Sequence, residues 1–154
     1  MRAKYLLWLF TGLLVLFIVI QFIPLAGAKT NPPVQAEPQW DSPQTRELAV
    51  RACYDCHSNE TVWPWYSNVA PISWLVIHDT MEGREKLNFS EWNLPQREAD
   101  EAAETVQDGE MPLKIYLPTH PEARLTNEER DQLIQGLINT IGGEVKGQER
   151  EGED

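Results

Sequence analysis

Five consecutive residues, Cys53-Tyr54-Asp55-Cys56-His57, carry the most specific chemistry in the chain. Two thiols three positions apart, with an imidazole directly after the second, form the set that covalent haem attachment requires. Each sulfur adds to one vinyl group, and the histidine takes its place under the iron as the proximal ligand. Other uses of a thiol pair fit less well. A structural zinc site needs four nitrogen or sulfur ligands. The chain has two cysteines and three histidines in all, and His78 and His120 lie far from the pair. A thioredoxin-like dithiol belongs beside a βαβ pattern, which is missing from this sequence. A Cys53–Cys56 disulfide in an oxidising compartment stays open, but it gives His57 no role.

The second informative stretch is Gly109-Glu110-Met111-Pro112-Leu113. A thioether is a soft, neutral ligand for haem iron, and a loop bounded by glycine and proline can hold its sulfur in place. An isolated methionine is more often core filler. Beside a haem motif, Met111 becomes the leading sixth ligand, with His78 as runner-up and His120 and Met81 behind. Trp63, Trp65, Tyr66 and Trp74 sit among Pro64 and Pro71 in a stiff apolar loop. They read equally well as a pocket wall beside a macrocycle and as the centre of a small core.

These groups need elements to position them. Asp41 or Ser42 caps a helix with Pro43 in its first turn, running through Leu48, Ala49 and Ala52 into the cysteines. Trp74, Ile77, His78 and Met81 recur at helical spacing from Ser73 to about Leu87, with Gly83 as a weak spot. Leu87 to Trp92 reads as a turn that tucks Phe89 and Trp92 inward, and Pro95 opens an acidic helix through Ala99, Ala102, Ala103 and Val106. Thr126-Asn-Glu-Glu129 is a capping box for a last helix with Leu133, Ile134, Leu137, Ile138 and Ile141 on its apolar face, stopped at Gly142-Gly143. No strand pattern or internal repeat is present, so the expected fold class is all-α.

Ahead of this domain, Tyr5 to Ile23 is uncharged and close to the roughly 20 residues that span a bilayer as a helix. Arg2 and Lys4 precede it, which keeps the N-terminus cytoplasmic and exports the rest. Ala26-Gly27-Ala28 has the form of a signal-peptidase site, but the apolar run exceeds the core of a signal peptide, so an anchor is favoured. The resulting division is an anchor or signal peptide at 1–28, a proline-rich tether at 29–40, a haem domain at 41–143 and an acidic disordered tail at 144–154. Of 154 residues, roughly a hundred are left to build a core, a modest number. The net charge is -11, and the portion beyond Arg2 and Lys4 is more acidic still. That balance excludes nucleic acid as a partner and suits redox proteins with basic patches.

Cys53-Tyr-Asp-Cys-His-Ser-Asn-Glu-Thr61, Trp63-Pro-Trp-Tyr-Ser67, Ala70-Pro71, Ser73-Trp74, Leu87-Asn-Phe-Ser90, Trp92, Gly109-Glu-Met-Pro112 and His120-Pro121 resemble the bacterial haem-binding domain family of small monohaem class I-like cytochromes c. The resemblance covers about Leu48 to Ile141. It implies a cytochrome c-like helical domain around one covalent haem c, with Cys53 and Cys56 as thioethers, His57 proximal and Met111 distal. Where such cytochromes cross their terminal helices at a glycine and an aromatic, this sequence offers Ala49 or Ala52 and Leu137. The expected activity is single-electron transfer by a carrier, not an enzyme, on the periplasmic side of the inner membrane. The alternative is a haem-based sensor or ligand-binding module with a displaceable sixth ligand.

Overall fold

The computed structural model describes residues 2–23 and 29–143. The expected cleavage site at Ala26-Gly27-Ala28 and the expected tail at 144–154 lie outside the described residues. The described residues form six α-helices and two short 3-10 turns, joined by irregular segments. Among the described residues, the one pairing of extended chain is an isolated parallel bridge between Ala36 and Glu91. The all-α expectation holds.

Helix α1 (Arg2–Ile20) is apolar around its circumference, and its described large side chains from Tyr5 to Val19 are exposed. The expected transmembrane helix is not found: α1 ends at Ile20 and includes Arg2 and Lys4, and among the described residues no helix is long and apolar enough to cross a membrane.

Helix α2 (Pro43–Ala52) starts where the Ser42 hydroxyl accepts the Thr45 N–H at 3.1 Å, with Pro43 in the first turn. Its buried face is Thr45, Leu48, Ala49 and Ala52, one stripe at helical spacing. The helix stops at Cys53, which also begins the single turn α3 (Tyr54–His57). Cys53 therefore sits at the break between two helices, and Cys56 lies within the second.

Helix α4 (Ile72–Lys86) runs uninterrupted through Gly83 and packs on α3. Its buried residues are Thr80 and Gly83, whereas His78 and Met81 point outward. Of the four residues at helical spacing, only Trp74 and Ile77 are partly buried. The helix meets α3 along its small residues because a larger side chain would hold the two apart. A Cβ on Gly83 would lie 2.6 Å from the Cys56 carbonyl oxygen.

Helix α5 (Ala102–Gln107) is shorter than the acidic helix expected from Pro95. The backbone N–H groups of Arg97 and Glu98 instead donate to the Lys86 carbonyl at the end of α4, at 3.0 and 3.1 Å. The Gln96 side chain accepts from Asn88 N and donates to Glu91 O. Long-range partners take up the groups that a helix would have used.

Helix α6 (Asn127–Ile141) opens on the expected capping box between Thr126 and Glu129, worth about 1 kcal/mol, and ends at Gly142 with φ +83°. It packs on α2 and α5. Ala49 and Leu137 are both in the core, yet the residue of closest approach is Gly136, where a Cβ would fall 2.1 Å from Thr45 Oγ1. The glycine of the helix crossing thus lies on the last helix, a position the sequence reading passed over. Between these helices Phe89 is buried against Tyr54, Trp92 and Trp40.

The proline-rich segment 29–40 is irregular, as its composition requires, but it is not a free tether. Gln35 N and Ala36 N donate to Ser90 O, and Trp92 N donates to Ala36 O. Glu37 takes a two-pronged bond from Arg46, 2.7 Å on each arm. Proline removes backbone donors and fixes φ, but the remaining donors and acceptors still find partners on the domain.

Candidate functional site

The cysteine-histidine turn is wound tightly around one carbonyl. Cys53 O accepts from Cys56 N at 3.1 Å and from His57 N at 2.9 Å, bringing both thiols and the imidazole onto one turn. Both cysteines are free thiols, so no disulfide joins them. Burial pushes the Cys53 thiol up to about 12, helped by the charge of Cys56. Burial likewise pushes Cys56 to about 11, with Asp55 and Asp79 adding to the effect. Neither thiol is the low-pKa nucleophile of a redox dithiol, which needs a cationic or helix-end environment.

His57 is oriented by backbone. Its Nδ1 lies 3.0 Å from both Gly83 O and Leu87 O. Carbonyl oxygens only accept, so the ring proton sits on Nδ1 and the lone pair is on Nε2. Burial lowers the pKa of His57 and keeps the ring neutral. A neutral imidazole with its outer nitrogen fixed by carbonyls is the form in which histidine binds metal.

A polar lattice backs the turn. Phe89 N donates to His57 O at 2.8 Å, and Asn59 N donates to Ser90 Oγ at 2.9 Å. Asn88 Nδ2 donates to Asn59 Oδ1 at 3.0 Å, with Ser58, Asn59 and Ser90 buried. Arg84, next to Gly83, donates to Ser58 O at 2.7 Å, Thr30 O at 2.8 Å, Thr61 Oγ1 at 2.8 Å and Asn31 Oδ1 at 3.2 Å. Its guanidinium also lies over the Trp63 ring. Sequence reasoning missed both Gly83 as the contact and Arg84 as the clasp. The available signal was their adjacency: a glycine inside a helical pattern followed by the residue type best able to gather several carbonyls.

Met111 is partly buried and packs against the main core cluster. Gly109, with φ +70°, turns the chain after α5, and Glu110 N and Met111 N both donate to Thr105 O. His78 stands elsewhere: its side chain is 67% exposed and its Nε2 lies 3.3 Å from Glu82. His120 is buried, stacked on Tyr116 at 3.6 Å between centroids and bonded to Tyr66 and Thr119. Tyr116 in turn donates to Asp55 at 2.7 Å. Of the four aromatics expected as a wall, Trp63, Tyr66 and Trp74 are partly buried, while Trp65 is 78% exposed. Trp65 is therefore surface, because its short 3-10 turn directs it away from the core. Among the described residues, no group of three or more His, Cys, Asp or Glu is placed to hold a metal ion.

The donor set consists of a neutral histidine with its lone pair on Nε2, two unpaired thiols on the same turn and a partly buried thioether. It fits a haem. The model of the haem-binding domain family matches residues 15–139, and the chain belongs to that family. Neither a curated protein nor a solved structure matches it.

Proposed function

We propose that the protein is a membrane-anchored monohaem c-type cytochrome that carries single electrons on the periplasmic face of the inner membrane. The observation that supports this most is the carbonyl-held His57 ring directly beside two free thiols. Cys53 and Cys56 would hold the haem through thioether bonds, and His57 Nε2 and the Met111 sulfur would ligate its iron. When bound, haem supplies a one-electron iron couple, and the chain's part is to hold, bury and ligate it. A carrier fits better than an enzyme, since an enzyme would need a distal acid-base group and His78 faces solvent beside Glu82. The acidic surface suits redox partners with basic patches. Anchoring is supported by the exposed apolar side chains of α1, by the run continuing through Phe22 and Ile23, and by the basic flank of Arg2 and Lys4.

The test is spectroscopic and covalent at once. Protein matured with a cytochrome assembly apparatus should keep its pigment through acid-acetone extraction, and Cys53→Ser with Cys56→Ser should release it. The ferric wild type should show the far-red sulfur-to-iron band, lost in Met111→Ala and kept in His78→Ala. Extractable pigment in the wild type, or a band indifferent to Met111, would overturn the assignment.

A further inference from the structure

The aromatic turn is fastened to the end of α1. Gln21, just past that helix, pairs its side-chain amide with the backbone of Ala70. Nε2 donates to Ala70 O at 3.1 Å, and Oε1 accepts from Ala70 N at 2.9 Å. Lys29 adds a second hold on the same turn, bonding Ser67 at 3.4 Å and also Asn68. On either side of Ala70, the turn and the first residues of α4 expose Trp65 at 78%, Ile72 at 49% and Leu75 at 43%. These side chains belong to a strongly acidic chain, yet all three are apolar and lie near the clamp. Apolar surface held level with the end of an apolar helix is covered by whatever covers the helix.

We propose that the surface formed by Trp65, Ile72 and Leu75 rests in the interfacial layer of a lipid bilayer and seats the haem domain directly on the membrane. The inference rests on the reading that lipid covers α1. Tryptophan is the side chain best suited to that layer, since the indole body is apolar while its N–H can meet headgroups and water. The paired amide bonds and the docked 29–40 segment fix the orientation of the domain, so the same face meets the bilayer in every molecule. Lipid is favoured over a protein cover because the Gln21–Ala70 bonds tie the turn that carries the patch to the end of α1, whose exposed side chains are apolar on all sides.

The test uses the full-length holoprotein, one chain per phosphatidylcholine nanodisc, oxidised by hydroxyl radicals and read residue by residue by mass spectrometry. One chain per disc removes a second copy as a cover. Rates are normalised to the unfolded chain, with buried Tyr54 (4% exposed) as the internal standard. Trp8 on α1, 73% exposed in the protein alone, reports the anchor, and Trp65 reports the seat. Trp8 should be slowed to the protection of Tyr54, and Trp65 should be slowed several-fold from its unfolded rate. Trp65 reacting near its unfolded rate while Trp8 is protected overturns the seat and leaves the anchor standing. Trp8 reacting freely overturns the anchor and the seat together.

Discussion

Around His57 the fold recruits ring nitrogen, backbone and a neighbouring guanidinium: two carbonyls on Nδ1, the Phe89 N–H on the His57 carbonyl, and Arg84 across Ser58, Thr61 and Thr30. Around Met111 the chain is held by backbone bonds from Glu110 and Met111 to Thr105 O and from Tyr116 to Leu113 O, with Ile115 exposed in the same loop. The histidine side is over-determined and the methionine side is set by a few turns and by packing. Local stability follows the density of buried contacts and hydrogen bonds, so the two sides should respond differently to perturbation.

The largest effect is expected from Gly83→Ala. Its methyl group would meet the Cys56 carbonyl at 2.6 Å, a backbone atom that cannot swing aside. Separating α3 from α4 should cost about 3 kcal/mol and lower haem incorporation, measured by denaturant unfolding and pigment yield. Unchanged stability would show that α4 does not bear on the turn. Arg84→Ala comes next, stripping donors from Ser58 O and Thr61, with an expected loss of about 2 kcal/mol in the same assay. Arg84→Lys should recover only part of it, because an ammonium cannot span the same four acceptors.

A smaller effect should appear with acid. The hydrogen bonds from Arg46 hold Glu37 below its ordinary value of 4.5. The folded state therefore binds this proton less readily than the unfolded state. The stabilisation is present above about 4.5 and is lost as pH falls through the lowered folded value. Glu37→Gln should flatten that part of the stability curve, and an unchanged acid limb would show that the Arg46–Glu37 bond does not brace the 29–40 segment. The smallest change in stability belongs to Met111→Leu, a volume-conserving swap expected to cost under about 1.5 kcal/mol while abolishing the far-red band. A large loss of stability there would show that the methionine loop is as firmly braced as the histidine turn.

The parts of the molecule legible in the sequence are those written in neighbouring residues. Ser42 with Pro43, the Thr126–Glu129 box and the Gly142 stop concern groups a few positions apart, and each is where the pattern placed it. Phe89 and Trp92 tuck in as their turn suggested, and the family membership expected from the short motifs holds. The misreadings concern groups whose partners are remote in sequence. Gly83 reads as a weak point within its own helix, and only the approach of Cys56 makes it a contact. Residues 95–101 have helical composition, but the Lys86 carbonyl and the Gln96 side chain compete for their order. Gly136 escaped notice because nothing around it announces Thr45.

The stretch from Lys29 to Trp40 has a further consequence. A proline-rich arm of that length, if loose, would sweep a hemisphere roughly 35 Å in radius. Pinned along Ser90, Glu91 and Arg46, the segment 29–40 is not a leash on which the domain could reach out and search for its counterparts. On the proposed role, an electron would have to be brought to the domain, by a visitor gliding in the plane of the membrane or arriving from the aqueous side.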